Sequence, residues 1–147
     1  MGSWNIKDSL LQSIKALYPE ASTDLYACFI ERCALFVLTF RIAAMITQQT
    51  FLFLRSYSEL REWWLSNVRI RSLAHLGPHA FEAIGGEIVN TVMFVFRKSA
   101  SQGKSLGRYI DLTDATSKFE NLKAYASTKE ESGGLEFIVD QSQFSSI

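Results

Sequence analysis

Apolar residues recur at spacings of three and four near the start of the chain, where Ile6, Leu10, Leu11, Ile14 and Leu17 predict an amphipathic helix within residues 3 to 20, stopped by Pro19. Ser22, Thr23 and Asp24 supply the next helix start. From Leu25 to about Val37 the chain is apolar nearly all round, so this second helix is expected to be covered on more than one side. Arg41 to Thr47 is a short apolar run without alternation, the pattern of a central strand buried on both faces. Ser56-x-x-Glu59 reads as a capping box, with Tyr57, Leu60, Trp63 and Trp64 following on one helical face and Asn67 as the stop. Val68 to Ala74 alternates, with Arg69 and Arg71 set between Val68, Ile70 and Ser72, which predicts a strand with one wet face near a sheet edge. Ile88 to Phe96 is almost wholly apolar and suits a central strand, so the third strand by sequence should lie inside the second in space.

Further on, Gly103 to Gly107 is a turn region and Tyr109 to Leu112 a short strand. Ser117-x-x-Glu120 opens a helix bearing Phe119, Leu122 and Ala126. Ser127 to Gly134 reads as a loop or linker and Leu135 to Val139 as a last apolar run. Helix, strand, helix, strand, strand describes half of a doubly wound sheet whose last two strands pair as an antiparallel hairpin. The expected fold class is therefore α/β, a partial Rossmann-like sheet ending in an antiparallel hairpin. Residues 1–126 form its domain, and 127–147 a linker and the start of a following segment.

Composition narrows this picture. A chain of 147 residues supports one compact domain, and a 48% hydrophobic share with 11 Phe, 5 Tyr and 3 Trp demands a packed core. The formal net charge is zero, which is not the footprint of a protein held on nucleic acid mainly by phosphate contacts. Between Arg55 and Arg108 eight bases face four acids, either a weak basic patch or a solvated mixed surface. Leu25 to Ile46 carries only Glu31, Arg32 and Arg41 as charges, but the first two would sit mid-span at a few kcal/mol each, so a buried helix running into a strand explains the run better than a membrane segment. Cys28 and Cys33 lie five apart and point to different helix faces, as buried thiols of a reducing cytoplasm do. Met-Gly-Ser-Trp-Asn at the start has no signal-peptide pattern, and a cytoplasmic location is expected.

Candidate chemistry is sparse. His75 and His79 flank Gly77-Pro78 with Glu82 nearby, but with no helix to align them and no third clear ligand they read as a hydrogen-bonded loop pair, and no metal is expected. Gln48, Gln49 and Thr50 follow the end of the first strand, the rim where open α/β sheets bind ligands, although Thr50 equally suits helix capping. Gly85-Gly86 and Asn90 serve equally as turn formers and a strand polar group. No Gly-x-Gly stands between a strand and a helix, and the only prolines are Pro19 and Pro78, so no Pro-Pro pair exists.

Three stretches carry a resemblance: Tyr-Pro-Glu-Ala-Ser-Thr-Asp-Leu-Tyr-Ala-Cys-Phe-Ile-Glu-Arg (18–32), Ala-Met-Ile-Thr-Gln-Gln-Thr-Phe-Leu-Phe-Leu-Arg-Ser-Tyr-Ser-Glu-Leu-Arg (44–61) and Leu-Ala-His-Leu-Gly-Pro-His-Ala-Phe-Glu-Ala-Ile-Gly-Gly-Glu-Ile-Val-Asn-Thr (73–91). Across about residues 1–100, and more faintly at the Gln-Ser-Gln-Phe-Ser-Ser-Ile end (141–147), the chain resembles the large adenine-specific DNA methyltransferases of phage-defence systems, of the BREX or phage-growth-limitation type. The resemblance implies methyl transfer from S-adenosylmethionine to N6 of an adenine flipped out of DNA. It also implies a sheet whose strand order ends five, seven, six, and an aromatic against the flipped base, which maps onto Phe81; the alternative for Phe81 is a core residue capping the hairpin. The family's glycine-rich cofactor loop and its Asn-Pro-Pro-Tyr motif are missing from this chain, and Met1-Gly2 matches residues just past that motif. The implied protein is thus a fragment, inactive alone and holding no cofactor itself, with the N-terminal half supplied by a separate chain. The alternative is a stand-alone, non-catalytic module that binds DNA or a methyltransferase partner. One further departure stands at Leu38-Thr39-Phe40, where the family turns from helix into strand through a Gly-Gly pair.

Overall fold

The computed structural model describes residues 7–21, 24–81, 89–99, 105–127 and 135–141. The amphipathic start forms α1 (Asp8–Leu17), which buries Ile14 and ends before a 3-10 turn at Pro19–Ala21. The second helix, α2 (Leu25–Phe36), buries Ala27, Cys28, Ile30, Glu31 and Ala34. Only this one face is covered by the described residues: Phe29, Leu35 and Phe36 are exposed, contrary to the expectation of cover on several sides. All-round apolarity predicts neighbours without saying that the same chain provides them.

A tight turn leads from α2 into β1 (Ile42–Gln48). Phe40 adopts φ 67 there, the left-handed conformation that a glycine would take without a steric penalty. Its N–H donates to the Lys98 carbonyl (2.8 Å), and the Arg41 N–H donates to that of Leu38 (2.9 Å). One hydrogen bond to the neighbouring strand and one within the turn thus hold Phe40 in a shape that glycine adopts without strain.

Helix α3 (Ser58–Asn67) leads directly into β2 (Val68–Gly77), which pairs antiparallel with β3 (Thr91–Lys98). Tyr57, not Ser56, precedes α3, and no side-chain hydrogen bond caps it; a 3-10 turn at Arg55–Tyr57 takes up Ser56, so the capping box does not form. Two more strands follow, β4 (Leu106–Asp111) parallel to β2 and β5 (Leu135–Asp140) antiparallel to β4, with α4 (Lys118–Ser127) between them. The sheet order is β1-β3-β2-β4-β5. The third strand lies inside the second, as the apolar run of β3 predicts.

Two strand placements differ from expectation. Strand β1 is at an edge of the described sheet and alternates between exposed and half-buried positions, because no described strand pairs with its outer side. Strand β2 is central, between β3 and β4, despite its arginines. Arg69 folds back to donate to the carbonyls of Leu65 (3.0 Å) and Val68 (2.8 Å), at the end of α3, where a cation complements the helix dipole. Arg71 is exposed on a bulge between Ile70 and Ser72. Gln141 repairs that irregular stretch: its side-chain oxygen accepts from the Ile70 N–H (2.9 Å), and its amide nitrogen donates to Leu65 (2.9 Å) and Val68 (2.8 Å).

The main core lies between the sheet and α2 and α3. Trp64 of α3 meets Phe94 (5.1 Å between ring centroids), Phe96 (5.8 Å) and Phe51 (5.8 Å) edge-on, the geometry favoured by aromatic quadrupoles. On the opposite sheet face a smaller cluster of Ala74, Leu76, Ile110 and Leu112 packs against Leu122 and Tyr125 of α4.

Candidate functional site

Strands β1, β2 and β4 run parallel, so their C-terminal ends share one rim of the sheet, where β3 also begins. In open α/β sheets this rim binds ligands, because loops there can vary while the strands hold them in place. It brings together Gln48, Gln49 and Thr50 after β1, His75 to Gly77 at the end of β2, and Asp111 at the end of β4.

The three residues after β1 are not equivalent. The Thr50 hydroxyl is paired with that of Tyr26 (2.6 Å), which fastens the rim to α2 and leaves Thr50 no capping role through its side chain. Burial is the first cause holding the Tyr26 phenol protonated far above its ordinary range. Gln49 is fixed twice: its backbone N–H donates to the Asn90 carbonyl (3.0 Å), and its side-chain oxygen pairs with Nε2 of His75. Gln48 ends β1 opposite Thr91.

Around His75 the rim is polar and tightly connected. Its Nδ1 lies 3.6 Å from an Asp111 carboxylate oxygen, and its ring meets that of Phe53 at 6.0 Å between centroids. The same Asp111 oxygen accepts from the backbone N–H (3.0 Å) and the hydroxyl (2.8 Å) of Thr113. Burial alone would raise this carboxyl, but the Thr113 hydrogen bonds and then His75 outweigh it and hold the group below its ordinary value. Strand pairing places His75 opposite Asp111, so the dyad is a product of the β2–β4 register. The sequence pattern reads His75 as one of a hydrogen-bonded loop pair with His79, and nothing local in it points to an acid on another strand. Among the described residues no group of three His, Cys, Asp or Glu could hold a metal ion.

Phe81 follows β2 and a turn containing two left-handed residues, Gly77 (φ 64) and His79 (φ 57). At Gly77 a Cβ would stand 2.8 Å from the Thr113 methyl, so glycine is required both by conformation and by space. The turn leaves Phe81 47% exposed just past the C-terminal end of β2. Gly85-Gly86 and Glu82 lie outside the described residues. No helix among the described residues is long and apolar enough to cross a membrane.

The Eco57I restriction-modification methylase family matches residues 1–81. The adenine-specific methyltransferase PglX of Lacticaseibacillus casei (strain Zhang) is 40% identical over 125 residues, which is 85% of this chain and 10% of that protein. The adenine-specific methyltransferase BrxX of Escherichia coli O9:H4 is 33% identical over 101 residues, 69% of this chain and 8% of that protein. This chain thus spans about a tenth of the length of the relatives it matches. The type IIG restriction endonuclease BpuSI shares its fold over 97% of this chain and 18% of its own, with a TM-score of 0.64 and 18% identity. A mixed sheet in the order β1-β3-β2, an open strand-end rim and a family match over more than half its length lead to one assignment: this chain belongs to the Eco57I restriction-modification methylase family.

Proposed function

We propose that this chain forms the target-base side of an adenine-N6 DNA methyltransferase of a cytoplasmic phage-defence system, completed by a segment that supplies the cofactor loop and the Asn-Pro-Pro-Tyr motif. The observation that carries this reading is the exposed Phe81 ring, presented by a constrained turn at the ligand-binding end of a methylase-type sheet. Stacking of an aromatic on an extruded base contributes roughly 1–3 kcal/mol and tolerates any base, so it suits holding a flipped adenine while other groups select it. Gln48 and Gln49 line the same rim, and Thr50 anchors it through Tyr26.

S-adenosylmethionine is the methyl donor this reading requires, and the residues of this chain do not fit it. The eight glycines include no Gly-x-Gly turn from strand to helix, the geometry that brings backbone close to such a cofactor. The donor is therefore held by the completing segment, and this chain contributes base binding.

The test is a chimera in which this chain replaces the matched segment of the Lacticaseibacillus relative. The chimera is expected to methylate adenine in DNA, and Phe81→Ala to lower kcat/KM for DNA by about 10–100-fold, with Phe81→Tyr largely sparing it. A folded chimera without methylation, or a Phe81→Ala variant indistinguishable from its parent, overturns the proposal. In the first case the stand-alone module becomes the better reading.

A further inference from the structure

Three residues from three separate strand ends meet at the rim: Gln49 after β1, His75 on β2 and Asp111 on β4. None belongs to the cofactor loop or the Asn-Pro-Pro-Tyr motif, and their association arises only from strand register.

The network does more than hold the sheet together. Gln49 is already anchored through its backbone to Asn90, so the side-chain bond to His75 adds orientation rather than attachment. With the amide oxygen engaged by His75 Nε2, the NH2 group is left as a directed donor. Asp111, itself held by two hydrogen bonds from Thr113, places its carboxylate 3.6 Å from the other ring nitrogen, so the imidazole stands between the Gln49 amide and a fixed negative charge. The same imidazole packs against Phe53, which is 63% exposed and so offers a free aromatic face beside that donor. An aromatic face next to a directed N–H donor matches an unpaired nucleobase, which stacks through its ring and accepts at a ring nitrogen.

We infer that His75, braced by Asp111, is a positioning residue that fixes the Gln49 amide and the Phe53 ring as a second base-binding surface for the DNA strand carrying the target adenine. The inference rests on the methyltransferase reading, and it gives the rim two aromatic stations, Phe81 and Phe53, with Gln49 as the polar contact of the second. Asp111 acts only through His75, so the two are coupled, and neither touches the methyl donor.

The chimera described above provides the kinetic test. His75→Phe keeps a ring against Phe53 but removes both polar contacts, and it is expected to raise KM for DNA about tenfold while kcat and KM for the cofactor change less than about twofold. Asp111→Asn should act in the same direction, and the double variant should be no worse than His75→Phe alone, because one residue works through the other. A purely structural role would instead lower the amount of folded enzyme and leave KM for DNA unchanged; an unchanged KM in a folded variant overturns the inference. A second measurement stands independently of activity. The chain has only two histidines, so 15N-histidine NMR resolves both rings. Asp111→Asn and Gln49→Ala should each shift the ring nitrogens of His75 and leave those of His79 in place. If neither substitution moves them, the relay is absent. An inactive parent chimera with an intact NMR response counts against the methyltransferase reading and not against the relay.

Discussion

Glu31 is 4% exposed on the buried face of α2, and its Oε2 finds no hydrogen-bond partner among the described residues. Burial is the first cause raising its carboxyl above the ordinary value, and the charge of Glu20 adds to it. A raised folded-state value means that the group contributes stability below the ordinary carboxylate range and loses it as the pH rises through the folded value. At neutral pH a charge there opposes folding. Replacing the carboxyl by an apolar chain of similar length removes an unsatisfied buried group, so Glu31→Met is expected to stabilise the chain by about 1 kcal/mol at neutral pH, with the gain shrinking in acid. Urea unfolding at two pH values measures this, and a variant less stable at neutral pH would show that Oε2 has a partner. Cys28, beside it on α2, has its thiol pushed up to about 11 by burial first and by Glu31 second, so it is a core group and not a nucleophile.

The turn between α2 and β1 concentrates strain at Phe40, whose φ is 67. A non-glycine residue in the left-handed region loses roughly 1–2 kcal/mol, whereas glycine forfeits about 0.5–1 kcal/mol of chain entropy, so Phe40→Gly is expected to gain about 0.5 kcal/mol. The loss of the loose stacking of Arg97 on Phe40, 5.4 Å from guanidinium to ring centroid, is a small offset. A rise of a degree or two in Tm by calorimetry is the expected result. A drop of several degrees would mean that Phe40 contributes packing beyond this turn.

The described molecule ends on two open edges. Ile42 and Ile46 of β1 are exposed, and Phe36, Leu38 and Phe40 stand beside them; on the far side Phe137 and Ile138 of β5 are exposed. Unpaired strand edges flanked by apolar side chains recruit further strands, so the chain is expected to self-associate at tens of micromolar in sedimentation velocity. Ile46→Lys places a charge on the β1 edge and should reduce the association, as should co-expression with the methylase segment carrying the cofactor loop. A stable monomer of the unaltered chain at that concentration would argue for the stand-alone module.

The sequence by itself determined which segments become helices and strands, because apolar period and turn residues act locally: α1, α2, α3, β2 and β3 lie where their patterns predict. It also determined the family, through runs such as 73–91. Only the tertiary structure decided where strands stand in the sheet. Arg69 and Arg71 look like the wet face of an edge strand, yet a helix C-terminus binds one and a bulge expels the other, so β2 is central. Likewise an apolar run says that β1 and α2 can be covered, while coverage depends on neighbours that no local pattern names. The candidate site divides in the same way. Phe81 and Gln49 can be proposed from resemblance and position, but the Asp111–His75 pair cannot, because its members stand 36 positions apart in sequence and only strand register brings them together. Gln141 makes the same point most plainly: its hydrogen bonds to Ile70, Leu65 and Val68 join the last described residue to the end of α3 and the start of β2, groups more than 70 positions away that no local pattern names.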